Sequence, residues 1–81
     1  MRYHYILENP ETGEVIADGR LHFLNRRTVA DAIRRKTGRS TTKGEALIIR
    51  VSQYVWELQL QASGRVLIRA HVTENKYAKK A

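Results

Sequence analysis

Apolar and polar residues alternate from the start of the chain. In RYHYILE, Tyr3, Tyr5 and Leu7 fall on one side and His4, Ile6 and Glu8 on the other, the two-residue period of a β-strand. NPETGE follows, where Pro10 fixes φ for a turn and Gly13 supplies the positive φ that a short hairpin connection needs. A second strand is expected from Glu14 to Leu24, with Val15, Ala17, Leu21 and Phe23 on one face and Asp18, Arg20 and His22 on the other. Gly19 marks a site for a bulge. From Asn25 the period lengthens, and Val29, Ala32, Ile33 and Lys36 take helical spacing. Thr28 to Asp31 has the spacing of a capping box, with Asp where Glu or Gln is usual, and Gly38 provides a left-handed cap after Thr37.

Three further β runs come after the Ser- and Thr-rich residues 39–44. The alternation predicts Leu47, Ile49 and Val51 on one face of EALIIRVS, Tyr54, Trp56, Leu58 and Leu60 on one face of YVWELQLQ, and Val66, Ile68, Ala70 and Val72 on one face of RVLIRAHVT. The connections near Gln53 and at ASG are short enough for hairpins. The expected fold is α+β in the order ββαβββ, a five-stranded antiparallel sheet with one helix packed on one face. The other face meets water and carries His4, Arg20, His22, Arg50, Ser52, Glu57, Gln59, Gln61, Arg65, Arg69 and His71, with Ile48, Val55 and Leu67 among them.

Eighty-one residues form one domain, expected over 1–73 with a flexible basic tail over 74–81. Without cysteine, there is no disulfide framework, thiolate metal site or cysteine nucleophile. No apolar run nears the roughly 20 residues of a membrane span, and the start lacks a signal-peptide core, so a soluble cytoplasmic protein without a membrane partner is expected.

The formal charge of +7 changes this picture because of where it lies. Arg26, Arg27, Arg34, Arg35, Lys36, Arg39 and Lys43 face a single anion, Asp31, within 26–43, and Lys76, Lys79 and Lys80 load the tail. Arginine forks beside hydroxyls suit phosphate oxygens, so RRKTGRSTTKG over 34–44 is the strongest candidate for contact with DNA or RNA, mostly through the backbone. Arg50 and Arg69 on the open sheet face extend the candidate interface. The bland reading of the same stretch is a solvated helix end running into a loop. It is not a P-loop, because its lysine precedes the glycine and no strand leads into it.

No catalytic signature, cofactor motif or metal motif is present. His4, His22 and His71 share no local ligand spacing. A toxin-type RNase using Glu57, Arg69 and His71 is the enzyme alternative. The other class is a phage-borne protein-binding inhibitor that docks on a host protein or nucleoprotein complex through the sheet face or an edge strand. Edge-to-edge pairing into a homodimer is a further expectation.

Two resemblances add to these readings. YHYILENPETGE, with the strand and basic helix after it, resembles the amino-terminal arm-binding domain of tyrosine recombinases over about the first 37 residues, which implies DNA contact; that domain lacks the three strands that follow here. The arrangement of hairpin, helix and terminal meander is similar to several small phage proteins that disable CRISPR effectors, which implies a protein or nucleoprotein partner without assigning any residue.

Overall fold

The computed structural model describes residues 2–39 and 44–74. The chain forms β1 (Tyr3–Glu8), β2 (Val15–Leu21), α1 (Arg26–Thr37), β3 (Ala46–Ser52), β4 (Val55–Leu60) and β5 (Val66–Glu74). All pairings are antiparallel and the sheet order is β2-β1-β5-β4-β3, so the expected ββαβββ fold with one sheet and one helix is present. Glu74, expected in the tail, closes β5 opposite Tyr3, and residues 75–81 lie outside the described residues.

The N-cap lies three residues before the expected one. Asn25 is the N-cap: its side chain accepts from the Thr28 amide at 2.9 Å, and the Asn25 amide donates to the Thr28 hydroxyl at 3.1 Å. Thr28 plays the part that Glu or Gln takes in the usual capping box, and Leu24 and Val29 occupy the two positions of a hydrophobic staple. At the other end Gly38 takes φ 78° and its amide donates to the Arg34 carbonyl. Thr37 is the last helical residue, as expected.

The helix packs on β2 and β3, the two edge strands. Twelve residues at 1.5 Å per residue give a rod of about 18 Å. Five strands about 4.8 Å apart make a sheet about 19 Å wide, so one helix reaches from edge to edge. Val29, Ala32 and Ile33 are its buried residues, set against Tyr5, Leu7, Leu21, Ala46, Ile48, Trp56, Leu58, Ile68, Ala70 and Val72 of the sheet.

Two facing assignments differ from the alternation. In β3 it is Ala46 and Ile48 that turn to the core, while Val51 is 55% exposed and Leu47 and Ile49 are half-buried on the open face. ALIIRVS is apolar in both parities, so its own pattern does not choose. The row Ile48, Leu58 and Ile68 across three strands decides it, with Arg50 opposite Trp56. In β2 the ladder stops at Leu21, so Phe23 leaves the expected core face and is 70% exposed. Val15 is exposed as well.

Gly19 pairs directly with Tyr5 without a bulge; the register shift in this hairpin lies at Leu7 and Glu8. The Tyr5 ring lies across Gly19, and a Cβ there would stand 2.6 Å from Cζ of the ring. Tyr5 is buried, so the ring has nowhere to move. Burial also raises the Tyr5 hydroxyl above its ordinary value, opposed by the Arg35 charge.

Gly19→Ala is therefore expected to destabilise the fold by about 1–3 kcal/mol, an overpacking cost. Tyr5→Leu should remove most of that penalty when combined with it. Urea unfolding followed by the single tryptophan, Trp56, checks both, and equal penalties in the two backgrounds would show that the ring contact is not the cause.

Candidate nucleic-acid interface

The open face of the sheet neutralises its own charge. Glu57 on β4 is 8% exposed and accepts from Arg69 Nε at 3.0 Å and from Gln59 Nε2 at 2.9 Å. Arg69 also lies 3.8 Å from Glu8, whose Oε1 is 2.6 Å from His71 Nε2. The register explains this cluster, since Arg69 stands opposite Glu57 on one side and Glu8 on the other. At the margins Arg65 holds Glu11 at 2.6 Å and His4 lies 3.4 Å from Asp18.

The structure thus brings together Glu57, Arg69 and His71, the residues of the RNase reading, and adds Glu8. Each polar group in this cluster faces a partner within it. His4 and His71 each face a carboxylate, and His22 lies tilted against Phe23. Among the described residues, no group of three His, Asp or Glu side chains could hold a metal ion.

Arg50 does not belong to this face. It shares the parity of Ile48, and its guanidinium sits 5.6 Å from the Trp56 ring centroid on the helix side of the sheet. Among the described residues the Trp56 indole N–H finds no acceptor. Arg50 and Arg69, expected to extend one surface, lie on opposite faces, and Leu67 packs against the core rather than standing clear on the open face.

The helix side is different. Arg26, Arg27, Arg34, Arg35, Lys36 and Arg39 are all exposed, and Asp31 is the one acid in α1. Asp31 pairs with Arg34 and, at 3.1 Å, with Arg35. The hydrogen bond from Arg34, with the nearby Arg35 and Arg27 charges, holds the Asp31 carboxyl below its ordinary value. Among the described residues, Arg26, Arg27, Lys36 and Arg39 enter no ion pair. Lys43 lies outside the described residues.

The two ends of α1 call for different explanations. Arg34, Arg35 and Lys36 occupy the last turn, where the helix dipole favours cations. Arg26 and Arg27 occupy the first turn, where it opposes them, and no acidic residue stands there. Helix stability therefore accounts for the first group and not for the second. Phe23 precedes that first turn with its ring exposed, a feature that strand parity concealed.

No protein-family model, curated protein or solved structure matches the chain. Among the described residues, no helix is long and apolar enough to cross a membrane.

Arg69→Met is expected to cost about 1–3 kcal/mol, because it leaves the Glu57 carboxylate buried with only Gln59 as partner. Glu57→Gln in the same chain should recover part of the loss in thermal or urea unfolding. Asp31 has its own pH signature. Because its folded value is depressed, its contribution is present above the unfolded value near 3.8 and is lost as pH falls through the folded one. Asp31→Asn should remove that acid-side loss, and salt should shrink it in the natural chain, since the pair is exposed.

Proposed function

We propose that this protein binds nucleic acid through the outer side of α1, with the phosphate backbone as the main contact. The observation that carries the reading is the partition of charge. Glu8, Glu11, Asp18 and Glu57 each face a cation or a histidine, while α1 and Arg39 just after it present six exposed cations against one acid.

Arg26 and Arg27 at one end, and Arg34, Arg35, Lys36 and Arg39 at the other, place cations along a helix about 18 Å long. Guanidinium groups can take phosphate oxygens two at a time, and an elongated positive surface follows a backbone without reading its sequence. Phe23 adds what a purely electrostatic surface lacks. An exposed ring just ahead of Arg26 and Arg27 in the chain offers a platform on which an unpaired base can stack. The reading accordingly favours single-stranded over fully paired targets. Lys43 and the lysines of the tail add to the protein's net positive charge.

A second reading is a protein-binding module of the kind that phage or mobile elements carry, docking through the open sheet face. It draws on Leu47, Ile49 and Val55, half-buried apolar side chains that flank the Glu57 and Arg69 network.

Fluorescence anisotropy with single- and double-stranded DNA and RNA separates the two. Binding to phosphates should weaken by orders of magnitude between about 50 and 200 mM salt. Ala at Arg26, Arg27, Arg34 and Arg35 should abolish it. Phe23→Ala should weaken single-strand binding by about 1–3 kcal/mol with the salt slope unchanged. Asp31→Asn should strengthen binding, since it releases two arginines and removes the acid. No binding to any of these nucleic acids at low salt would leave the protein-docking reading.

A further inference from the structure

We propose that β3 is a self-pairing edge that joins two copies of this chain into one continuous sheet. β3 is one of the two outermost strands, so among the described residues half of its backbone amides and carbonyls have no neighbouring strand. Gln61 N donates to the Glu45 carbonyl at 2.9 Å, which fixes that residue's backbone toward β4. By alternation Ala46, Ile48 and Arg50 turn their N–H and C=O groups outward.

The strand is complementary to itself. Its midpoint is Ile49, and antiparallel pairing about that residue sets Ile48 against Arg50 of the second copy, Leu47 against Val51, and Ile49 against Ile49. The outward backbone groups of Ile48 and Arg50 then meet as hydrogen-bonded pairs. Arg50 is the strand's one charged residue, and in this register it faces an isoleucine. Its guanidinium is already drawn over its own Trp56. Leu47 and Ile49, half-buried, and Val51, exposed in the single chain, meet their counterparts on the open face. The register shift at Val51 narrows the pairing to the middle of the strand.

The opposite edge lacks these properties. β2 carries Asp18 and Arg20 on its open-face side and Gly19 at its centre, the pattern of a strand protected against pairing. A two-fold axis through Ile49, perpendicular to the sheet, keeps both copies of α1 on the same face. The two positive helices repel each other across that axis, so salt should favour the pair.

The chain has no cysteine, so a single introduced one reports its own neighbour. Cα atoms in a non-hydrogen-bonded antiparallel pair lie about 4.5 Å apart, within disulfide range. Under mild oxidation Ile49→Cys should form a covalent dimer severalfold faster than Ile16→Cys on the β2 edge. In sedimentation velocity the natural chain should shift from monomer to dimer as its concentration and the salt rise. Ile49→Lys and, as a surface variant that spares the core, Val51→Lys should stay monomeric, with Ile16→Lys behaving as the natural chain. A natural chain that remains monomeric at its highest concentration in salt would overturn the proposal. So would equal crosslinking at positions 49 and 16, or a dimer that Val51→Lys leaves intact and Ile16→Lys breaks.

Discussion

The fold turns on a match of lengths. One helix of twelve residues must carry the chain from β2, at one edge of the sheet, to β3, at the other, and its rod is about as long as the sheet is wide. Val29, Ala32 and Ile33 then seal one face, and among the described residues no element covers the second. A small domain with a single core has no reserve of apolar surface to spend elsewhere, so that core must close on one side of the sheet alone.

The uncovered face shows how the sheet copes. Its centre is a ladder of acids against Arg69 and His71, close enough for Glu57 to be almost removed from water while both of its oxygens are satisfied. Such a network is costly to break and gives the strands a fixed register, because Arg69 stands opposite Glu57 on one neighbouring strand and Glu8 on the other. On the covered side the charge is left on the outside of α1, where Asp31 organises two arginines and the others face water. The same asymmetry that closes the core therefore separates a balanced face from a basic one, and the functional reading rests on that separation.

Much of this arrangement was legible in the sequence. The order of elements, the end of α1 at Thr37 with its Gly38 cap, and the inward residues of β1, β4 and β5 follow from periods of two and 3.6 and from one glycine. The start of α1 is not legible, because Asn25 and Thr28 form a capping box without the usual acid or amide, and the spacing alone points to Thr28 as the cap. The facing of β3 was not legible, since Leu47, Ile49 and Val51 are as apolar as Ala46 and Ile48. The outward turn of Phe23 is not legible either, since nothing in its immediate sequence announces that pairing stops at Leu21. The basic character of α1 could be read from residue counts, but the loss of Arg50 and Arg69 from a common surface could not.

By itself the sequence determined which segments are strands and helix, that only one core can form, and that positive charge collects on α1 and beyond it. These are local properties, set by spacing, turn chemistry and composition. The tertiary structure decided which face of β3 is inside, which cations are neutralised and which stay exposed, and that Tyr5 lies across Gly19. Each of these depends on what stands opposite a residue on the neighbouring strand, and that partner comes from a distant part of the chain.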